Sequence, residues 1–411
     1  MASQKSNTQD RELILSRTLN APVELVWEVW TQPEHIAKWW GPNGFTNTIT
    51  TMDMQPGGEW NLVMHGPDGT DYPNKSIFRE VVLHKKIVYE HLSYPRFLTT
   101  VQFQEQGEQT LITWHMLFES AEDFIQVAKT HKVVEGLNQN VEKLNTYLTR
   151  LPLSGYAPVN GLRMYYQIYG NGTVPLVLIH GGGSTIESSF GRLLPLLSVN
   201  RKVIAVELQA HGRTNDRDAP ESFEQDADDV AALLRYLKID KADLLGFSNG
   251  ASTVLQIAIR HPEIAGRIVA ASGAYKRDGF IPGFFDGFGK ATLADMPASL
   301  QAAYLAVAPD KNGLQTMFDK DVARMVAFKD WNEDDLRSIK SPALIIAAQH
   351  DVVTPEHAVE LSRLIPGAQL GILPGPHGLF IGAAEAGPSN NGVKLTRITA
   401  ALIEAFLEEA G

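Results

Sequence analysis

A serine between two glycines, in the spacing G-x-S-x-G, is the first feature of the sequence that could do chemistry. Gly246, Ser248 and Gly250 have this spacing at the end of the apolar run ADLLGFS and before the helical pattern ASTVLQIAIRH. Between a strand and a helix, two glycines permit a sharp, strained turn that lifts a serine hydroxyl above the end of a sheet. The pentapeptide alone is also compatible with a tight turn that has no catalytic role.

Two residues later in the chain could activate this serine. An unactivated hydroxyl is a poor nucleophile, so catalysis needs a histidine that accepts its proton and a carboxylate that orients the histidine. Asp351 follows the apolar run PALIIAAQ, and His377 follows the next run, AQLGILPG. Either residue alone is typical of an ordinary loop. Their joint placement after successive predicted strands points to a serine, histidine and carboxylate set.

A glycine-rich loop supplies the groups that such a set still lacks. Acyl transfer places negative charge on the carbonyl oxygen, and preorganised backbone N–H groups stabilise that charge. Three glycines follow the apolar run VPLVLIH, and we expect the donors to be the N–H groups of Gly182 and of Asn249, the residue after the serine. The alternative is a phosphate-binding turn, but no Gly-Lys-Ser/Thr follows, which argues against a nucleotide loop.

Composition excludes several classes of function. The formal net charge of −11 argues against nucleic acid or an anionic membrane as the main partner. The sequence has no cysteine, which excludes thiol catalysis, disulfides and cysteine-based metal centres. We expect neither a metal nor another cofactor. The polar start, and the absence of a run of about 18 apolar residues, predict a soluble cytoplasmic protein.

The distribution of tryptophan and glycine divides the chain. Six of the seven tryptophans lie between Trp27 and Trp114, whereas the glycine-rich motifs begin at Gly181. Residues 149–161 carry two prolines and two glycines without a helical stripe, so we place a boundary near residue 152. The predicted domains are residues 1–152 and 153–411.

The two halves have different patterns. In the first, Pro22 is well placed to start a helix after an alternating strand, further antiparallel strands follow, and a long helix closes the domain. The apolar stripe of that helix consists of Val133, Leu137, Val141, Leu144 and Leu148. In the second half, buried apolar runs alternate with helical patterns, which predicts a parallel sheet with helices on both faces.

Residues 154–411 resemble the α/β-hydrolase superfamily, through VNGLRMYYQIYGNGTVPLVLIHGGG, the serine turn, and the acid and histidine segments. The resemblance implies a mostly parallel, doubly wound sheet with a cap insertion. It also implies that Ser248 is the nucleophile, Asp351 the orienting acid and His377 the general base.

The segment AVELQAHGRT departs from the family pattern. Family members commonly have an aspartate and an Arg-Gly-His-Gly run there, whereas this sequence has Glu207 and Ala210. The segment usually serves structure near the site, so we expect His211 to be a loop residue rather than a catalytic one.

A cap is expected at about residues 275–335, between the run RIVAASG and the run that carries the acid. Its phenylalanines lie among glycines and a proline in GFIPGFFDGFG. Pockets for small molecules are mostly apolar, so we expect aromatic side chains to line the substrate site. The residues assigned to this lining are Phe247, Phe280, Phe284 and Phe285. Packing of the cap onto the body is the alternative role for such rings.

Residues 10–150 resemble the START-like helix-grip superfamily (SRPBCC), nearest the branch named for activators of the heat-shock-protein ATPase. The likeness rests on TLNAPVELVWEVWTQPEHIAKWWGPNGF, REVVLHKKIVYEHL and the closing helix. It implies an α+β domain with a curved antiparallel sheet around the long C-terminal helix and an apolar cavity between them. The tryptophans either line that cavity or fill the core.

These features favour a serine hydrolase that cleaves a small apolar carboxylic ester, thioester or lactone through an acyl-enzyme. The first domain would bind an accessory apolar ligand. Serine at the turn argues against an epoxide hydrolase or dehalogenase, which use aspartate there. The alternatives are a small-molecule-binding or chaperone-interaction protein without catalysis, and a cofactor-free haloperoxidase or lyase on the same fold.

Overall fold

The structure is a computed structural model, and it describes residues 10–107, 109–131, 133–149, 151–170 and 172–409. These residues fall into two compact units, one ending at Leu151 and one beginning at Pro152. Most of the polar start, which predicts the absence of a secretory signal, lies outside them. Within the described ranges, no helix is both long and apolar enough to cross a bilayer.

The first unit has a strand, two short helices, six more strands and two C-terminal helices. In chain order these are β1 (Glu12–Leu19), α1 (Val23–Thr31), α2 (Pro33–Trp39), β2 (Thr46–Met52), β3 (Glu59–His65), β4 (Asp71–Val82), β5 (Lys86–His91), β6 (Phe97–Gln106), β7 (Gln109–Phe118), α3 (Ala121–His131) and α4 (Val133–Leu148). The strands form one antiparallel sheet in the order β1-β7-β6-β5-β4-β3-β2.

Helix α4 carries the apolar stripe that the sequence predicts. Leu137, Val141, Leu144 and Leu148 are buried on it, because a spacing of three or four residues places them on one helix face. They share one core with α1 and the inner face of the sheet. The antiparallel sheet with its long C-terminal helix confirms the predicted α+β class of this half.

The second unit alternates strands and helices. In chain order these are β8 (Leu153–Val159), β9 (Leu162–Tyr169), β10 (Leu176–Ile179), α5 (Ile186–Phe190), α6 (Leu194–Leu197), β11 (Val203–Val206), α7 (Phe223–Tyr236), β12 (Ala242–Phe247), α8 (Asn249–Arg260), β13 (Ala265–Ala271), α9 (Ala298–Val307), α10 (Gly313–Ala327), α11 (Glu333–Arg337), β14 (Ala343–His350), α12 (Pro355–Leu364), β15 (Gln369–Pro376) and α13 (Asn390–Glu408). Short 3-10 turns lie at Arg277–Gly279, Phe288–Lys290, Leu293–Asp295 and Ala384–Ala386.

The sheet of the second unit has the order β15-β14-β13-β12-β10-β11-β9-β8. Strands β10 to β15 are parallel, and the hairpin β8-β9 runs antiparallel at one edge. Every residue of β10, β11 and β12 is buried, which explains their continuous apolar runs. Strand β11 lies on one side of β10 and β12 lies on the other, so the order in which successive strands are added to the sheet reverses at β10. In such sheets the ligand site lies beside that strand, at the carboxyl ends.

Candidate functional site

Ser248 lies between β12 and α8 in a strained backbone conformation. Its φ is 54° and its ψ is −120°, a combination that residues with a Cβ seldom adopt. The N–H of Ser248 donates to the carbonyl oxygen of Ala271 at 2.8 Å, which ties the turn to β13. The surrounding sheet therefore holds the serine in a conformation that it would not adopt alone.

The two flanking glycines are required by space. A Cβ at Gly246 would lie 2.0 Å from the carbonyl oxygen of Gly250. A Cβ at Gly250 would lie 2.1 Å from the carbonyl oxygen of Ile179. Since both neighbours are backbone atoms, neither position accepts a side chain. The glycines thus let α8 start directly against β10 and β12.

Asp351 and His377 meet at the carboxyl ends of β14 and β15. Nδ1 of His377 donates to Oδ1 of Asp351 at 2.5 Å, and the N–H of Val352 donates to the same oxygen at 2.8 Å. Oδ2 accepts from the Ser272 hydroxyl at 2.5 Å and from the N–H of Ala348 at 2.9 Å. These four donors fix the carboxylate. Because the Asp351 carboxylate can only accept, the proton of this hydrogen bond lies on Nδ1 of His377. Nε2 is then the ring nitrogen that can accept a proton.

The pKa of Asp351 reflects the same contacts. Burial by itself would raise the pKa of this carboxyl, but the hydrogen bond and charge of His377 lower it, with the Ser272 and Ala348 donors adding to the effect. The net result is a pKa below the usual value, so Asp351 is ionised at neutral pH.

Ser248 and His377 are near one another without being hydrogen-bonded. The ring of His377 packs on Phe247, the residue before Ser248, with ring centroids 4.7 Å apart. Among the described residues, the Ser248 hydroxyl has no hydrogen-bond partner. The predicted acid and base are therefore hydrogen-bonded to each other, whereas the predicted nucleophile is hydrogen-bonded to neither. In ligand-free enzymes catalytic hydrogen bonds are often long and shorten when substrate binds.

The predicted oxyanion donors are available. Neither the N–H of Gly182 nor that of Asn249 has an acceptor in the described part of the chain. By contrast, the N–H of Gly183 donates to Oδ2 of Asp321 at 2.5 Å. A Cβ at Gly182 would lie 2.5 Å from Nδ2 of Asn249, so these two residues are adjacent in space. Two N–H groups without an acceptor among the described residues therefore lie near the serine.

A cavity of about 630 Å³ is lined by Ser248 and Asn249 and is mostly apolar. Its wall includes Phe280, Phe284, Phe288, Met296, Leu300 and Met325. Most of these residues belong to the segment between β13 and β14, where the sequence predicts a cap. Phe280 and Phe284 are thus at the cavity, as predicted for substrate-lining residues.

Two other predicted lining residues do not line this cavity. Phe247 is fully buried and packs on His377 and Phe380. Phe285 stacks on Phe328, and the guanidinium of Arg277 lies 3.7 Å above its ring. Their physical role is packing, the alternative that the sequence leaves open for aromatic side chains.

A buried charged cluster that the sequence does not predict lies beside the cavity. Asp321 of α10 accepts hydrogen bonds from the ring of His211 and from the guanidinium of Arg324. Arg324 also pairs with Asp226 at 2.7 Å and with Glu221 at 3.0 Å. The sequence signal is an aspartate and an arginine three residues apart on a helix, which is also the pattern of an exposed ion pair.

His211 lies in the loop between β11 and α7, and its side chain is fully buried in this cluster. Burial would lower the pKa of its ring, but the Asp321 carboxylate raises it to about 9. The nearby departure from the family pattern is structural, since buried Glu207 accepts from the Arg213 side chain at 2.7 Å. Burial raises the pKa of Glu207 to about 7 against the opposing charge of Arg213.

The first unit has a cavity of its own, of about 610 Å³, between the sheet and α4. Trp40, Trp60 and Trp114 line it, whereas Trp27, Trp30 and Trp39 do not and instead fill the core. Both roles that the sequence leaves open for the tryptophans therefore occur. Among the described residues, Nε1 of Trp60 and Oδ1 of Asn140 are buried without hydrogen-bond partners, and both residues line this cavity.

Family profiles match both halves of the chain. Residues 176–386 match the alpha/beta hydrolase family, and residues 20–149 match the family described as activator of Hsp90 ATPase homolog 1-like protein. These matches confirm the two resemblances drawn from the sequence.

Relatives of the second half include named hydrolases. Human serine hydrolase BPHL is 28% identical over 251 residues, covering 56% of this chain and 82% of that protein. Pyrrolizixenacetamide deacetylase from Xenorhabdus hominickii is 28% identical over 235 residues, covering 51% of this chain and 86% of that protein. These relatives support a hydrolase activity.

A solved structure supports the fold. The crystal structure of CarC, a serine hydrolase involved in carbazole degradation, has a TM-score of 0.50 and 20% identity to this chain. It covers 62% of this chain and 98% of its own. At this identity the likeness concerns the fold alone.

Proposed function

The chain belongs to the alpha/beta hydrolase family, and we propose that its second unit is a serine hydrolase that cleaves a small apolar carboxylic ester, thioester or lactone. One arrangement carries this proposal. Strained Ser248 stands beside two N–H groups that find no acceptor in the described part of the chain, and the ionised Asp351 orients His377 at the neighbouring strand ends.

In the proposed reaction, Oγ of Ser248 attacks the substrate carbonyl carbon while Nε2 of His377 takes the hydroxyl proton. The N–H groups of Gly182 and Asn249 stabilise the negative charge on the carbonyl oxygen. His377 then gives its proton to the leaving oxygen or sulfur, and an acyl-enzyme forms on Ser248. Water attacks the acyl group, His377 takes the water proton, and that proton returns to Ser248 as the acid leaves.

Asp351 has an indirect role in both steps. Its hydrogen bond to Nδ1 keeps Nε2 of His377 unprotonated before each attack, and its charge stabilises the imidazolium that forms. The reaction requires the Ser248 hydroxyl and Nε2 of His377 to come into hydrogen-bond contact in the substrate complex. Both residues lie beside Phe247, since Ser248 follows it in the chain and the His377 ring packs on it.

Hydrolysis of p-nitrophenyl butyrate by a Ser248→Ala variant tests the proposal. We expect kcat/KM to fall by about 10⁴-fold or more, because the nucleophile is removed. Ser252→Ala is the matched control, since Ser252 lies one turn further along α8 and its hydroxyl donates to the Ala274 carbonyl oxygen at 2.9 Å. The control should retain activity within about threefold. Wild-type hydrolysis by Ser248→Ala would overturn the proposal.

We propose, second, that the first unit binds an apolar ligand with one polar end. The unpartnered Nε1 of Trp60 and Oδ1 of Asn140 favour this function, because buried polar groups without partners are costly unless a ligand satisfies them. Dodecan-1-ol offers both a donor and an acceptor at the end of an apolar chain.

Titration of dodecan-1-ol into the full chain, followed by calorimetry, tests this second function. Trp60→Phe should weaken binding about 10-fold, since it removes one hydrogen bond and little volume. Trp30→Phe is the control, because Trp30 is buried in the same core but does not line the cavity. The proposed ligand-binding function would be contradicted if no saturable binding were seen, or if Trp60→Phe left the affinity unchanged.

A further inference from the structure

The carboxylate of Asp321 lies at the wall of the cavity, close to the proposed oxyanion donors. Asp321 lines the cavity together with Ser248 and Asn249. A Cβ at Gly182 would lie 3.3 Å from Oδ2 of Asp321. A negatively charged acceptor therefore stands near the peptide whose N–H we propose for the carbonyl oxygen.

Three donors hold this carboxylate in place. Oδ2 accepts from the N–H of Gly183 at 2.5 Å and from Nε2 of His211 at 3.1 Å. Oδ1 accepts from the guanidinium of Arg324. Nδ1 of His211 lies 2.7 Å from the carbonyl oxygen of Gln209. Nε2 lies closer to Oδ2 of Asp321 than to the N–H of Gly183, which is 3.3 Å away. With the Asp321 carboxylate raising the pKa of the ring to about 9, the ring is an imidazolium at neutral pH. The two cations keep Asp321 ionised and fix its orientation.

One acceptor position of Asp321 remains open. An ionised carboxylate offers about four acceptor positions, two on each oxygen. The donors above occupy both positions of Oδ2 and one of Oδ1, and within the described residues no donor occupies the last. The side chain is 13% exposed. Met317, Val322 and Met325 of the same helix also line the cavity, so the part of this helix that faces the cavity is otherwise apolar.

Resting on the proposed hydrolase function, we propose that Asp321 determines specificity by selecting esters, thioesters or lactones with a hydroxyl or amide N–H one or two bonds from the carbonyl carbon. The substrate donor takes the open acceptor position of this carboxylate, and the apolar remainder lies against Phe280 and Phe284. A substrate without the donor leaves the desolvated carboxylate of Asp321 with one hydrogen bond unmade. Sites of this kind discriminate strongly against analogues that lack the matching group. A substrate carboxylate at that position is repelled.

Paired substrates test this assignment. Phenyl 2-hydroxyhexanoate and phenyl 2-methoxyhexanoate differ in the donor while keeping an electron-withdrawing oxygen on the same carbon. The wild-type protein should prefer the hydroxy ester in kcat/KM by about 10-fold or more beyond the ratio of their uncatalysed alkaline rates. Asp321→Asn should reduce this preference to within about threefold of the alkaline ratio, even if both absolute rates fall. Asp319→Asn, which changes an exposed acidic residue of the same helix that does not line the cavity, should keep the wild-type preference.

The wild-type comparison is decisive without any variant. A wild-type ratio equal to the alkaline ratio would overturn the assignment, and so would an Asp321→Asn protein that keeps the wild-type preference. Failure of the hydrolase proposal is distinguishable, because Ser248→Ala would then hydrolyse both esters whatever their ratio.

Discussion

Nδ1 of His377 donates a 2.5 Å hydrogen bond to Oδ1 of Asp351, at the carboxyl ends of the neighbouring strands β14 and β15. The carboxylate is buried and accepts hydrogen bonds from three further donors, so it cannot rotate away from the ring. These contacts fix the orientation of the His377 ring and therefore where the base can act.

The Asp351→Asn variant should therefore lose most activity while remaining folded. An amide would favour the wrong tautomer of His377 and could not stabilise its imidazolium, so we expect kcat to fall by about 10⁴-fold. Initial rates with p-nitrophenyl butyrate measure the loss. Asp334→Asn, at an exposed position of α11, is the control. More than a tenth of the wild-type kcat in Asp351→Asn would count against the assigned role.

The buried His211 imidazolium predicts a stability change at alkaline pH. Burial by itself would lower the pKa of this ring, but the Asp321 carboxylate outweighs burial and raises the pKa from its ordinary value of about 6.5 to about 9. Because the folded state binds this proton more tightly than the unfolded state, the charged ring stabilises the folded protein fully below about pH 6.5. This contribution to the free energy of unfolding is lost as the pH rises through about 9. Its size is on the order of 3 kcal/mol at most.

Urea denaturation at pH 6, 8 and 10 measures this contribution. The free energy of unfolding of the wild type minus that of His211→Gln should be largest at pH 6 and should shrink by pH 10. The other groups that face the ring, His180, Glu221, Asp321 and Arg324, are present in both proteins. A difference that stays constant from pH 6 to 10 would refute the imidazolium.

Gly250→Ala should disrupt the fold of the second unit. Its Cβ would lie 2.1 Å from the Ile179 carbonyl oxygen, and the backbone of a central strand cannot move away cheaply. We expect a loss of about 3 kcal/mol or more in the free energy of unfolding. Gly289→Ala is the control, because no atom lies within 4 Å of its added Cβ. Equal melting temperatures for the two variants would contradict the packing argument.

The cap phenylalanines should differ in their effect on substrate preference. Phe284 lines the cavity, whereas Phe285 packs on Phe328 and Arg277 outside it. With p-nitrophenyl octanoate and acetate, Phe284→Ala should lower the octanoate-to-acetate ratio of kcat/KM about 10-fold, through lost apolar contact. Phe285→Ala should lower the melting temperature and leave the ratio unchanged. Equal shifts of the ratio in both variants would refute this division.

Patterns local in the chain made both folds predictable. Uninterrupted apolar runs such as LVLI in β10 indicate strands that helices cover on both faces, and the stripe from Leu137 to Leu148 indicates a helix on a core. The placement of the candidate residues at one edge of the sheet was predictable for a similar reason. Ser248, Asp351 and His377 each follow a strand of one parallel sheet, and such strand ends converge.

Contacts between distant segments were not predictable. Asp321 meets His211 across 110 positions of sequence, and on α10 its spacing from Arg324 is that of a surface pair. Nothing in the local sequence separates Phe284 from Phe285 either, since they are consecutive and differ only in the direction of the side chain. The tertiary structure determines which of these side chains is buried and which lines the cavity.

Covalent labelling tests the central claim most directly. The full chain is treated with a fluorophosphonate, digested, and analysed by tandem mass spectrometry to locate the adduct. The account predicts one adduct, on Ser248, formed in parallel with loss of ester hydrolysis and much more slowly in His377→Ala. Complete inhibition with the adduct on another residue, or hydrolysis by the native protein while Ser248 stays unmodified, would contradict it.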